Sequence, residues 1–225
     1  MEAGYFVTGT DTDCGKTLAS LALMQALQSR GERVLGMKPV AAGAERTSSG
    51  LCNDDALRLQ AQGTSLQPYE TINPYLFVPP IAPHLAAEQS GVIIEFELIV
   101  DSYRQLQKHA DRVVVEGAGG WRVPLSPQGS IADLAGQLGL PVVLVVGLRL
   151  GCISHALLSA ESILATGARL AGWIGSRVDP SMREAEANID TLRYSLPSPC
   201  LGIIPHLDHP RPVDAAACLD LSKIL

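Results

Sequence analysis

Short apolar runs recur along the chain. Each is followed by a turn and then by a stretch whose apolar residues return at helical spacing. Tyr5–Thr8, Arg33–Met37, Arg112–Val115, Pro141–Val146, Arg169–Gly175 and Cys200–Ile204 read as strands. They are short and nearly continuous in apolar character, as strands covered on both faces of a parallel sheet are. The periodic stretches predict helices over Thr17–Ser29, from Asn53-Asp54-Asp55 onward, over His84–Gln89, Glu95–His109 and Asp133–Leu138, from Ser154 to about residue 166, and over Arg183–Tyr194. Asp54 or Asp55 is expected to cap the second of these helices and Ser154 the sixth. Two segments read as irregular: the polar loop Ala41–Leu51, and Thr64–Pro83 with Pro68, Pro74, Pro79, Pro80 and Pro83. Strands alternating with helices predict an α/β fold with three layers, a mostly parallel sheet with helices on both faces. No linker or repeat divides residues 1–225, so a single domain is expected.

Composition adds bounds to this picture. Of the 225 residues, 47% are hydrophobic and 18% charged, which excludes a disordered chain. The formal net charge is −6, with no basic stripe of the kind that binds nucleic acid. The five cysteines (Cys14, Cys52, Cys152, Cys200 and Cys218) are odd in number, widely spaced and without a Cys-x-x-Cys pair. They read as reduced thiols of a cytoplasmic protein. The chain enters its first strand with neither a basic leader nor a cleavable apolar stretch. Its longest apolar run, Pro141–Leu148, is too short to cross a membrane.

The chemistry concentrates at strand ends. Between the first strand and first helix stands Gly9-Thr10-Asp11-Thr12-Asp13-Cys14-Gly15-Lys16-Thr17. A glycine-bounded loop followed by Lys-Thr and a helix is the layout of a phosphate-binding P-loop. Backbone N–H groups and the positive end of the helix converge on one centre. Lys16 adds charge for the β- and γ-phosphates, and Thr17 a hydroxyl for Mg²⁺. Five residues separate Gly9 from Gly15, where four are usual. Lys38-Pro39 leaves the second strand on the side where ligands of open parallel sheets bind. Arg112–Val115 delivers Glu116 and then Gly117-Ala118-Gly119-Gly120, the place of a second magnesium carboxylate. Lys16 and Lys38 can neutralise phosphate. Thr17, Asp55 and Glu116 can surround Mg²⁺ with oxygens. The residues by themselves point to an ATP-dependent enzyme acting on a small molecule. A nucleotide switch or partitioning-type ATPase fits the same inventory, as does an ATP-dependent amide-forming ligase.

Thr8–Thr17 together with Lys38-Pro39-Val40 resembles the dethiobiotin synthetase family of P-loop NTPases, which has the same five-residue loop gap. Val115-Glu116-Gly117-Ala118-Gly119-Gly120-Trp121, Gly147-Leu148-Arg149-Leu150-Gly151-Cys152-Ile153, Asn73-Pro74-Tyr75, Pro83-His84 and Ala171-Gly172-Trp173 match its other hallmark segments. The resemblance runs from residue 5 to about residue 207. It implies a P-loop NTPase fold and a homodimer that uses MgATP and CO2 to close the ureido ring of dethiobiotin on 7,8-diaminononanoate. The implied route passes through a carbamate and a carbamic-phosphoric anhydride. It assigns Thr12, Lys16 and Lys38 to catalysis, and Thr17, Asp55 and Glu116 to the metal. The nucleotide falls to Asp13, Cys14, Gly15, Lys16, Thr17 and Leu18, to Glu116 and Gly119, and to Ser176, Pro205, His206 and Leu207. The diamine substrate falls to Lys38, Ala42 and the turn Gly151-Cys152-Ile153-Ser154, the last serving the neighbouring subunit's site.

Three positions depart from the family pattern. Ala42 stands where a serine is frequent, and Ser154 where an asparagine often binds the substrate carboxylate. Ser176 replaces the asparagine that commonly reads adenine. A hydroxyl cannot pair with both a donor and an acceptor on the base edge as an amide does. Relaxed nucleotide selectivity is therefore expected.

Overall fold

The computed structural model describes residues 3–48, 50–127 and 129–225. Met1 and Glu2 of the expected entry into the first strand, and Ser49 of the expected loop 41–51, lie outside the described residues. The main sheet consists of β1 (Gly4–Gly9), β2 (Val34–Met37), β3 (Arg112–Gly120), β4 (Val142–Gly147), β5 (Leu170–Ser176) and β6 (Cys200–Ile204). Their order is β6-β5-β4-β1-β3-β2, and every neighbouring pair is parallel. The chain leaves β1 towards β2 on one side and later winds through β4, β5 and β6 on the other. The loop after β1 therefore sits where the winding reverses, the usual ligand crevice of such sheets.

The helices are α1 (Lys16–Gln28), α2 (Asp54–Gln62), α3 (Tyr69–Ile72), α4 (Pro83–Gln89), α5 (Phe96–Gln107), α6 (Ile131–Leu138), α7 (Cys152–Ala165), α8 (Ala185–Ser195) and α9 (Pro212–Ala216). Alternate strand residues point to opposite faces, and the core divides accordingly. Tyr5, Val7, Val114, Val143 and Ile174 pack with Leu23, Met24 and Leu27 of α1 and Leu59 of α2. Phe6, Val113, Val115, Val142, Leu144 and Trp173 pack with Phe96 and Ile99 of α5, Leu134 of α6 and Ile163 of α7. These are the two outer layers the sequence predicts. Among the described residues no helix is long and apolar enough to cross a membrane.

Four expectations need correction. The segment 64–83 is not irregular throughout: it contains α3 and a strand, Tyr75–Phe77, paired in parallel with Val40–Ala42. The loop 41–51 contains an antiparallel pair, Glu45–Thr47 with Gly50–Cys52. The cap of α2 is Asn53, whose side chain accepts from the Ala56 N–H at 3.2 Å, so neither Asp54 nor Asp55 is the N-cap residue. Ser154 lies inside α7. That helix starts from Gly151, whose φ of 94° makes a left-handed entry without a side-chain cap.

Candidate active site

The phosphate loop is built around two glycines where any Cβ would force its neighbours to shift. A Cβ on Gly9 would stand 2.4 Å from the Cys14 sulfur, and one on Gly15 would stand 2.3 Å from the Ser176 hydroxyl. Gly15 also holds φ at 91°, a left-handed value that glycine adopts without strain. The loop thus folds tightly over the Cys14 thiol and rests against Ser176. Burial pushes the Cys14 thiol up, against the pull of Lys16, so it stays protonated at neutral pH. The ammonium of Lys16 donates to the Asp11 carbonyl at 2.7 Å and lies 3.8 Å from the Cys14 sulfur.

Lys38 is held by its backbone as well as its side chain. Its N–H donates to the Ile72 carbonyl at 2.8 Å, and its own carbonyl accepts from the Asn73 amide at 2.7 Å. The same amide donates to the Tyr75 carbonyl at 3.0 Å. Asn73-Pro74-Tyr75 therefore fastens the exit of β2, and the short strand it begins keeps Val40–Ala42 beside the site. The Lys38 ammonium donates to Glu116 Oε1 at 2.5 Å and to Asp55 Oδ2 at 3.0 Å. Thr17 Oγ1 bridges the same two carboxylates, 2.7 Å from Asp55 Oδ1 and 3.0 Å from Glu116 Oε1.

Glu116 is not a loop acid after a strand. β3 continues through it to Gly120, with Val7 opposite Glu116 and Gly9 opposite Gly120. The glycines after Glu116 let this strand follow β1 up to the phosphate loop. Trp121 then anchors the turn, edge-on to Phe6 with ring centroids 6.3 Å apart.

The electrostatics follow from this packing. Burial disfavours the charge on Lys38, but the neighbouring Glu116 and Asp55 outweigh it and hold its pKa above the usual lysine value. Burial likewise pushes Asp55 up, and the Lys38 charge with the Thr17 and Lys38 hydrogen bonds carries it below the usual range. Glu116 Oε2 is buried without a hydrogen-bond partner. An unpaired buried carboxylate oxygen is costly and marks a place for a further positive group or donor. Among the described residues no three His, Cys, Asp or Glu side chains gather as a metal group. The local set is two carboxylates and one hydroxyl. That suits Mg²⁺, which keeps several waters and takes its remaining oxygens from phosphates.

A cavity of about 670 Å³ opens over these groups. Of the expected site residues, Thr12, Asp13, Gly15, Lys16, Thr17, Leu18, Lys38, Ala42, Asp55, Glu116 and Gly119 line it. Cys14 lies buried beneath the loop, and Ser176 supports Gly15 from behind. Pro205 and His206 are exposed and Leu207 is half-buried at the end of β6, outside the cavity wall. Gly151 and Ser154 are exposed at the start of α7, Cys152 is buried, and none of the four residues Gly151–Ser154 lines the cavity. The cavity also takes Arg58, Pro80, Ile81, Ala82, Pro83 and Val123, which sequence reasoning left without a role. Arg58 was open to discovery, since three positions after Asp55 returns to nearly the same helix face.

Residues 3–212 match the AAA domain family. The chain is 51% identical over 221 residues to the ATP-dependent dethiobiotin synthetase of Pseudomonas paraeruginosa, covering 98% of this chain and 97% of that protein. It is 49% identical to that of Cellvibrio japonicus over the same share of each. To that of Xanthomonas oryzae it is 52% identical, over 89% of this chain and 90% of the other. The chain belongs to the dethiobiotin synthetase family. Among solved structures it is similar to the cell division ATPase MinD of Pyrococcus furiosus, with a TM-score of 0.54 at 15% identity over 90% of this chain and 83% of that one. It is also similar to the signal recognition particle receptor FtsY of Elizabethkingia anophelis, with a TM-score of 0.56 at 13% identity over 100% of this chain and 64% of that one. At those identities the likeness concerns the fold, a P-loop NTPase sheet with helices on both faces.

Proposed function

We propose that residues 1–225 form a single catalytic unit, an ATP-dependent ligase that makes dethiobiotin from 7,8-diaminononanoate and CO2. The observation that carries this reading is the meeting of Lys38, Asp55, Glu116 and Thr17 beside the phosphate loop, in a chain about half identical to dethiobiotin synthetases. One amine nitrogen of the substrate bonds to the carbon of CO2 and loses a proton, giving a carbamate. A carbamate oxygen bonds to the γ-phosphorus and ADP leaves. The second amine nitrogen bonds to the carbamoyl carbon, loses its proton, and phosphate leaves as the ring closes. The difficulty lies in the second step, where an anion attacks an anion. Fixed cations at that point lower the barrier. Lys16 and Lys38 both line the cavity, Lys16 from the phosphate loop and Lys38 from the exit of β2, and would supply those cations. Thr17, Asp55 and Glu116 would hold Mg²⁺, which when bound neutralises phosphate charge.

Gly151–Ser154 at the start of α7, where Gly151 and Ser154 are exposed, does not line the cavity of its own chain. This supports a homodimer in which the turn serves the partner's substrate carboxylate. The reading places the enzyme in the cytoplasm, where its five free cysteines stay reduced. It includes no nucleic-acid or membrane partner.

Incubation with diaminononanoate, bicarbonate and MgATP tests the function. Diamine-dependent phosphate release with formation of the ureido product is expected. Phosphate release that ignores the diamine, or that requires glutamine, would remove the reading in favour of a nucleotide switch or an amide-forming ligase. The base is a second question. Ser176 is buried against Gly15, where its short side chain supports the loop. We infer that triphosphate affinity comes mainly from the phosphate contacts. GTP and CTP should then bind within roughly tenfold of ATP, about 1.4 kcal/mol. Parallel titration at fixed Mg²⁺ measures this, and a preference for ATP above a hundredfold would show that other groups read the base.

A further inference from the structure

Arg149 belongs to the turn between β4 and α7, and nothing above gives it a task. Its guanidinium Nη2 is bonded to the Asp11 carboxylate at the crown of the phosphate loop, across 138 positions of sequence, and also reaches the Thr12 carbonyl at 3.5 Å. Asp11 is the junction of the crown. Its carboxylate accepts from the Thr10 hydroxyl at 3.1 Å, and its carbonyl accepts from the Lys16 ammonium at 2.7 Å. At its other end Arg149 is fixed by the turn, since its carbonyl accepts from the Cys152 N–H at 3.0 Å where α7 begins. The preceding Leu148 N–H is bound to the Ser176 carbonyl at 2.7 Å.

The crown needs outside support for a physical reason. The loop carries one residue more than the usual phosphate loop between its glycines. It also holds Asp13 at φ 58°, a left-handed value that a non-glycine residue keeps only when its surroundings impose it. The Arg149 and Asp11 side chains are 39% and 29% exposed. A pair so open to water contributes little to folding, so its consequence lies in where it holds the loop.

We propose that Arg149 is a positioning residue for the nucleotide: through Asp11 it sets the crown so that Thr12 and the Lys16 ammonium face the triphosphate. The proposal rests on the reading of this loop as the ATP phosphate site. Calorimetric titration of the full-length protein with ATP and Mg²⁺ tests both and keeps them apart. Binding by the unaltered protein tests the site, and comparison of variants tests Arg149. Arg149→Ala and Asp11→Ala should each raise the ATP Kd at least threefold. The double variant should match the weaker single within twofold, because both remove the same contact. Arg149→Lys, which keeps a charge within reach of Asp11, should recover part of the loss. It also provides a folded comparison if the alanine variant is unstable. The rise in KM for ATP should exceed the accompanying fall in kcat at saturating ATP. Singles that raise Kd less than threefold, effects that add in the double variant, or an Arg149→Lys protein no better than Arg149→Ala would each overturn the proposal.

Discussion

Arg33–Asp111 at the amino ends of the adjacent strands β2 and β3 and Lys38–Glu116 at their carboxyl ends are ion pairs of opposite exposure. At the amino ends, Arg33 and Asp111 form a two-pronged pair, with Arg33 Nη2 to Asp111 Oδ1 at 2.7 Å and Nε to Oδ2 at 3.2 Å. Their side chains are 61% and 46% exposed. At the carboxyl ends, Lys38 meets Glu116 and Asp55, and the Lys38 and Glu116 side chains are 7% and 0% exposed. The exposed pair joins two strands that already pair through their backbones. The buried set draws the Glu116 carboxylate and the Lys38 ammonium out of water, with Asp55 36% exposed beside them, and such burial gains little or nothing in stability over apolar packing. Folding therefore does not account for the buried set. On the proposed function its reason is the reaction, which brings anions to the same place.

The comparison breaks first at Lys38. Lys38→Ala should depress turnover by about a hundredfold or more, the usual size for losing one charge contact in the transition state. Lys38→Gln keeps hydrogen-bonding capacity without the charge and should be nearly as slow. Steady-state rates with circular dichroism spectra check both. A variant within about twofold of the unaltered enzyme would return Lys38 to the status of Arg33, a structural cation.

Glu116→Gln comes next. It preserves shape and leaves Asp55 as the one carboxylate beside Lys38 and Thr17. The half-saturating Mg²⁺ concentration should rise by about tenfold or more, since even outer partners of a metal site are worth that much. Initial rates across a Mg²⁺ titration read it out. An unchanged Mg²⁺ requirement would mean that Glu116 serves to hold Lys38 and takes no part in binding the ion.

How much of this was legible in the sequence follows the same division. Lys16, Thr17, Lys38 and Glu116 could be placed because strand ends of a parallel sheet share one side, and apolar runs mark strand ends well. Asp55 could be listed but not separated from a helix cap. Its freedom depends on Asn53 taking the cap, a choice between neighbours that only backbone geometry makes. The strand Tyr75–Phe77 was hidden because it is three residues long and set among prolines, and its pairing with Val40–Ala42 is tertiary. The extension of β3 through Glu116 was hidden by the glycines, which end the apolar run yet permit close pairing of Gly120 with Gly9. The role of Arg149 was invisible, since no local pattern ties it to Asp11.

The smallest expected effect sharpens the comparison from the other side. The Arg33 side chain and N–H, both bonded to Asp111, hold its carboxyl down at about 2, against an ordinary 3.8. A carboxyl with a depressed folded-state pKa stabilises the fold above its unfolded value. It loses that contribution as the pH falls through the folded value. The Arg33–Asp111 pair should therefore act nearly in full above about pH 4 and lose its contribution as the pH falls through about 2. Asp111→Asn should lower the melting temperature at pH 7 by no more than a few degrees, because exposed pairs contribute little. The gap to the unaltered protein should narrow between pH 4 and pH 2, while turnover at pH 7 stays within twofold. Thermal melts across that range decide the matter. A gap that persists at pH 2 would show that Asp111 works through its hydrogen bond to the Arg33 N–H, which the asparagine oxygen can only partly replace, and not through its charge.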